Sequence, residues 1–168
     1  MLEKLPSAKG INYRELEKFL KNQEWQKADG LTTKLISQFA NQEKEGWPYY
    51  EHIPDFPDED LRTIDQLWVH YSNNKFGFSI QKKLWLDCGG ELGKYDDKVW
   101  EKFATKVGWY CPQNDRWRTY TEFMNDSPNS LPASLPYTVC SFWVVWMFSD
   151  DVWGFLMFFD FLFARSET

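Results

Sequence analysis

The chain has 168 residues, and 25 acidic against 19 basic side chains leave a formal net charge of −6. One hydrophobic core suits that length, so residues 1–168 read as a single domain. The acidic balance excludes a nucleic-acid partner, since phosphate binding needs clustered cations, and 26% charged residues exclude core-less disorder. Cys88, Cys111 and Cys140 are odd in number and form no CxxC. Neither a zinc site nor a disulfide framework is indicated, and a reduced, cytoplasmic compartment is the simplest reading. The unusual quantity is aromatic content: 14 Phe, 10 Trp and 8 Tyr make up 19% of the chain, at a mean hydropathy of −0.59. Rings normally dominate a core, and this surplus predicts that some line a surface meant for something flat or apolar.

Residues 1–11 read as a flexible tail; two lysines without a following apolar run make no signal peptide. Asn12 with Glu15 three residues on matches a capping box, and Tyr13, Leu16, Phe19 and Leu20 give a first helix one apolar face. A second helix, from about Glu24, carries Trp25, Ala28, Thr32, Leu35, Ile36 and Phe39 on one side, and Lys21-Asn22-Gln23 closes the hairpin. Pro48, Pro54 and Pro57 enforce an extended loop. A third helix starts at Asp58-Glu59-Asp60, where negative charge suits a helix N-terminus. Its stripe is Leu61, Ile64, Leu67, Trp68 and Tyr71, with Asp65 on the same side. A carboxylate there needs hydrogen bonds, and a structural buried acceptor is favoured over a catalytic base.

Ser72-Asn73-Asn74-Lys75 reads as a turn, and Ser79 as the N-cap of a short helix through Leu86, ended by Gly89-Gly90. A helix from Asp96 or Asp97 to Val107 points Val99, Trp100, Phe103 and Val107 inward and stops at Gly108; a short one covers Thr119–Met124. Ser127–Pro136, with three prolines and three serines, is irregular. Tyr137–Phe148 is an uncharged loop of twelve residues, and Val152–Ala164 a final apolar helix. Residues 137–164 are long enough to span a bilayer. Asp150, Asp151 and Asp160 would cost roughly 2.5–3.5 kcal/mol each near its centre, so no transmembrane span is expected, though peripheral membrane contact is compatible with this composition. The fold class is all-α: a compact multi-helix domain with a long aromatic-rich loop before the last helix.

No residue is assigned a catalytic role. His52 and His70 stand alone, whereas metals want several converging ligands, so no metal site is expected. GxSxG, P-loop, GxGxxG and HExxH motifs are missing. The acid pairs Asp58-Glu59-Asp60, Asp96-Asp97 and Asp150-Asp151 all fall where helix N-termini are expected. Phe142-Trp143-Val144-Val145-Trp146-Met147-Phe148 is either a loop folded into the core or a greasy wall for a planar ligand. Arg165 is either a solvated terminal cation or the partner of a ligand's acidic group.

Residues 60–85 carry something more specific: Asp-Leu-Arg-Thr-Ile-Asp-Gln-Leu-Trp-Val-His-Tyr-Ser-Asn-Asn-Lys-Phe-Gly-Phe-Ser-Ile-Gln-Lys-Lys-Leu-Trp. This closely resembles the pattern D-L-x-x-I-D-x-L-W-x-x-Y-S-x-G-[RK]-F-G-F-S-x-Q of the genomes-uncoupled-four family, porphyrin-binding regulators of magnesium chelatase. Tyr13, Leu16, Trp25, Ala28-Asp29, Phe103, Val107-Gly108-Trp109, a Leu-Pro loop and a terminal apolar helix ending in Arg extend the resemblance over about residues 12–165. It implies a cupped-hand all-α fold and a non-enzymatic protein that binds protoporphyrin IX or magnesium protoporphyrin IX, with no covalently bound cofactor. The magnesium chelatase large subunit is the implied partner, chlorophyll biosynthesis the implied setting and a cyanobacterium or plastid lineage the implied source. Carried over position by position, the ligand-binding residues are Val69 and Phe78 from the central motif, Phe142 and Trp143 from the late loop, and Arg165 facing a propionate, with Tyr71 and Lys75 as further candidates.

The sequence departs from the pattern in places. Asn74 replaces the turn glycine, acceptable because Asn visits the same backbone region. Lys75 replaces Arg, keeping charge without the planar fork. Asn129-Ser130 replaces Gly-His ahead of Leu131-Pro132. Two other readings of the aromatic loop stay open: a bilin or haem sensor, and a protein-interaction module.

Overall fold

The structure, a computed structural model, describes residues 2, 4–40, 56–91, 94, 96–125 and 131–137. The elements are α1 (Arg14–Lys21), α2 (Trp25–Ala40), α3 (Asp58–Tyr71), α4 (Phe78–Asp87), α5 (Asp97–Val107), β1 (Tyr110–Cys111), β2 (Arg116–Trp117) and α6 (Tyr120–Asn125). The fold is therefore mostly helical, as expected, with a small antiparallel hairpin that the sequence reading missed. Tyr110 faces Trp117 and Cys111 faces Arg116; two residues per strand are too few to show an alternation. The expected final helix over 152–164 lies outside the described residues. No described helix is long and apolar enough to cross a membrane.

α1 packs on both α2 and α3, α3 on α4, and α4 on α5. The stripes predict these contacts: Leu16 and Leu20 of α1, Ala28, Thr32 and Ile36 of α2, and Leu61, Ile64, Leu67 and Trp68 of α3 are all buried. Asp96 caps α5 by accepting from the Lys98 and Val99 N–H groups, and Gly108 ends it in the left-handed region at φ 80°. The capping box expected at α1 is not formed: Asn12 accepts instead from the Arg14 N–H at 3.0 Å, and Tyr13 takes the cap position. A capping box does form at α6, where the Thr119 N–H donates to Glu122 Oε2 at 2.9 Å and the Glu122 N–H to Thr119 Oγ1 at 3.3 Å.

Residues 4–11, expected as a tail, run against α3. Ser7 Oγ and the Ala8 N–H donate to Asp60, and Thr63 Oγ1 donates to the Pro6 carbonyl at 2.7 Å. Asp60 is fully buried and also accepts from the Tyr13 hydroxyl at 2.8 Å. Burial, then the Asp60 hydrogen bond, pushes the Tyr13 phenol up. The acidic run opening α3 thus does more than complement the helix dipole, because its third carboxylate anchors a separate segment.

Most described rings go to the interior. Trp25, Trp68 and Phe76 form one cluster, with Trp25 and Trp68 stacked at 6.1 Å and Trp25 and Phe76 edge to face at 5.2 Å. Trp85, Trp100, Phe103 and Trp109 form a second, which continues through Tyr137 to Phe123. A buried aromatic contributes roughly 1.5–3 kcal/mol, with about 0.5–1.5 kcal/mol more per well-oriented ring pair. The surplus that suggested a surface wall therefore builds the core among the described residues, where Leu86 is the one large apolar side chain left exposed.

The α3–α4 corner is the tightest point. Asp65, buried on α3, accepts from the Ser79 N–H at 3.0 Å. It caps α4 from the neighbouring helix, so Ser79 lies inside α4 and is not its cap; Gly77 is, at φ 135°. Desolvation pushes the Asp65 carboxyl above its ordinary range, against the opposing hydrogen bonds from Ser79 and Phe78. This is the structural acceptor expected at that position. A Cβ on Gly77 would lie 2.7 Å from Val69 Cγ2 and 2.8 Å from Asp65 Oδ1, whereas one on Gly89, at φ 99°, would meet nothing within 4 Å. Gly77→Ala is expected to cost about 2–4 kcal/mol, from overpacking added to backbone strain. Gly89→Ala carries the strain alone, about 1–2 kcal/mol. Equal losses for the two variants in urea unfolding would contradict this account of the corner.

Candidate functional site

The turn from Tyr71 to Phe76 leaves α3 through Asn73 and Asn74, at φ 56° and 60°. Asn74 thus adopts the left-handed conformation that the glycine at this place in the motif would supply. Ser72 Oγ holds the turn by accepting from the Lys75 N–H at 3.1 Å and the Phe76 N–H at 2.8 Å. Residues 131–137 buttress it from the far side: the Ala133 N–H donates to the Lys75 carbonyl at 2.8 Å and the Gly77 N–H to the Leu135 carbonyl at 3.0 Å.

This loop enters the core although its composition reads as surface. Ala133, Ser134, Leu135 and Tyr137 are buried, so their backbone groups need partners. Gln81 Nε2 donates to the Ala133 and Pro136 carbonyls at 3.1 and 2.9 Å. Trp109 Nε1 donates to the Ser134 carbonyl at 3.0 Å, and the Tyr137 N–H donates to Asp29 Oδ1 at 2.7 Å.

Two grooves result. The first, of about 500 Å³, lies between Trp25 and the turn, and Tyr71, Asn73, Lys75, Phe76 and Pro132 also line it. The Lys75 ammonium sits 5.7 Å above the centre of the Phe76 ring, close enough for a cation–π contact. Trp25 is 8% exposed, and its buried indole N–H has no hydrogen-bond acceptor among the described residues. The Tyr71 hydroxyl donates to Glu17 Oε1 at 2.7 Å, so the ring rather than the hydroxyl is left for the groove. Glu17, 2% exposed, also accepts from the Leu2 N–H at 2.8 Å and Arg14 at 2.7 Å. Burial works to raise its carboxyl, but the hydrogen bonds from Tyr71, Arg14 and Leu2 prevail and hold it below the ordinary range. Tyr71 is pushed up, by burial first and then by Glu17.

The second groove, of about 430 Å³, is lined by Gln26, Asp29, Gly30, Thr33, Tyr120 and Tyr137. Burial and then the neighbouring Asp29 push the Tyr120 phenol up. Among the described residues no group of His, Cys, Asp and Glu could hold a metal ion.

Of the residues expected to bind a ligand, Tyr71 and Lys75 share the first groove. Val69, half-buried two residues before Tyr71, is the side chain that closes on Gly77. Phe78 is 0% exposed; it opens α4, which Asp65 ties down, and its ring is part of the core rather than an open wall. Phe142, Trp143 and Arg165 lie outside the described residues. Trp25, Asn73 and Pro132 were not expected as lining residues, because the packing of α2 and the 131–137 loop brings them to the turn and no local pattern marks them.

A family model described as GUN4-like matches residues 6–152. The uncharacterized protein ycf53 of Pyropia yezoensis is 38% identical over 119 residues, 69% of this chain and 49% of that protein. A protein of Arabidopsis thaliana named tetrapyrrole-binding protein, chloroplastic, is 33% identical over 115 residues, 64% of this chain and 43% of its own length. The chain thus spans about half or less of the length of these curated relatives. The structure of GUN4 from Chlamydomonas reinhardtii superposes with a TM-score of 0.68 at 26% identity, over 98% of this chain and 96% of that one.

Tyr71→Phe keeps the ring and removes one of the hydrogen bonds to buried Glu17. A loss of about 1–2 kcal/mol is expected at neutral pH. Because Glu17 titrates below its unfolded value, its contribution is present above the ordinary glutamate range, about 4.3, and is lost as pH falls through the lower folded value. The gap between wild type and variant should therefore narrow on acidification; a gap that widened in urea unfolding at low pH would contradict the assignment.

Proposed function

The chain belongs to the GUN4-like family, and from that premise we propose that it binds a tetrapyrrole, protoporphyrin IX or magnesium protoporphyrin IX, and serves magnesium chelatase in chlorophyll biosynthesis without bond chemistry of its own. The observation that carries the reading is the extent of the family match, residues 6–152. It takes in the described groove as well as Phe142 and Trp143. The name of the Arabidopsis relative supports the same ligand class.

Val69, Tyr71 and Lys75 are the proposed ligand-binding residues on the described side, with Phe142, Trp143 and Arg165 from the later part of the chain; Arg165 lies beyond the family match. Phe78, being buried, would support the wall from beneath. A macrocycle that covers on the order of 300 Å² of apolar surface gains roughly 7 kcal/mol at ~25 cal/mol/Å². Association and ordering of side chains offset several of these, which leaves affinity in the micromolar range. The protein would act in the cytoplasm or at a membrane surface, holding a pigment that is poorly soluble and handing it to the enzyme that metallates it.

The test is a titration of tryptophan fluorescence with protoporphyrin IX and with its magnesium complex. Quenching that saturates near one equivalent at micromolar pigment is expected, weakened in Phe142→Ala and Trp143→Ala. Failure of both pigments to quench would overturn the proposal.

A further inference from the structure

We propose that the groove between Trp25 and the 71–76 turn is a carboxylate-binding subsite, in which the Lys75 ammonium takes an anionic side group of the ligand. In naming that ligand the inference rests on the tetrapyrrole reading, since tetrapyrroles combine a flat apolar body with carboxylate side groups.

Charge is the first argument. Among the described residues, the groove lining contains Lys75 and no Asp or Glu. Lys75 makes no ion pair among the described residues and rests on a ring instead. In a chain of net charge −6, a cation set in a groove without an acid is a place for an external anion. The second groove is the opposite case, for among the described residues its charged lining residue is Asp29, which repels a carboxylate.

Geometry is the second argument. An exposed lysine loses much side-chain entropy when it is fixed on a ligand. The Lys75 backbone is already held on both sides, its N–H by Ser72 and its carbonyl by Ala133, and its side chain is half-buried over Phe76. Trp25 and Phe76, 8% and 0% exposed, form the packed floor beneath the groove, and the half-buried Tyr71 ring borders it. A volume of about 500 Å³ falls within the range of small-molecule sites. Lysine presents a point charge without a planar fork, which suits contact with one carboxylate oxygen over bidentate clamping.

The experiment compares deuteroporphyrin IX with its dimethyl ester, in one low-detergent buffer, against wild type, Lys75→Met and Lys75→Arg. Methionine retains the stem over Phe76, and thermal unfolding checks that each variant folds. Lys75→Met is expected to weaken the diacid about fivefold, the order of a partly exposed ion pair, while Lys75→Arg retains affinity and the ester binds all three proteins alike. Equal losses for diacid and ester, or no loss for the diacid, would overturn the subsite and leave the tetrapyrrole reading standing. If wild type bound neither pigment, the tetrapyrrole reading would fall, and the subsite with it.

Discussion

A buried carboxylate that caps a helix not its own is the constraint on which the rest of this domain depends. Asp65 stands on α3 and accepts from the first turn of α4. The distance and direction between the two helices are thereby set by a hydrogen bond rather than by side-chain packing alone. Only a residue without Cβ fits the space between Asp65 and Val69, and Gly77 occupies it. With the corner drawn that tight, the chain between the helices must reverse in the few residues from Ser72 to Phe76, which two asparagines in the left-handed region achieve. Lys75 is carried to the groove by that reversal.

The second half of the domain is locked onto this corner by backbone hydrogen bonds that reach across the sequence. The 131–137 loop meets the turn at Lys75 and Gly77, and Gln81, Trp109 and Asp29 satisfy its remaining groups. Each of these partners belongs to a different helix or its terminus, so the loop acts as a common ligand for α2, α4 and α5. Leaving one such buried group unpaired costs about 1–3 kcal/mol. The side chains that serve it are therefore structural even where they border a groove, as Asp29 does.

How far these features could be read from the sequence depends on the range of the interaction. The Asp96 cap, the Gly108 stop, the tolerance of Asn74 for positive φ and the buried-acceptor role of Asp65 follow from residues within a few positions, or from one helical stripe. Asp60 and Ser79 were misjudged because each offered a sufficient local explanation, a helix dipole for one and an N-cap for the other, while the actual partner lay on another segment. The 131–137 loop looks like surface because proline and serine usually mark surface; nothing local announces partners as distant as Gln81, Trp109 and Asp29. The same holds at the groove. Tyr71 and Lys75 lie in a contiguous motif and were legible, whereas Trp25 and Pro132 arrive by tertiary packing. Phe78 shows what position in a motif leaves out, since its ring is 0% exposed at the start of α4.

Aromatic abundance is thus, among the described residues, a guide to the core before it is one to a ligand wall. Twelve of the described rings are buried side chains, each explained by the core it fills. What distinguishes the two grooves is the sign of the nearest fixed charge. Screening confines such a charge to about 8–10 Å at ordinary ionic strength, so the −6 on the whole chain matters less to a bound group than Lys75 or Asp29 in the groove wall. A negatively charged domain can therefore hold an anionic molecule if it isolates one cation from its own acids. The turn achieves this by placing Lys75 over a ring, while Glu17, the acid tied to neighbouring Tyr71, is turned inward and held by Leu2, Arg14 and the tyrosine itself.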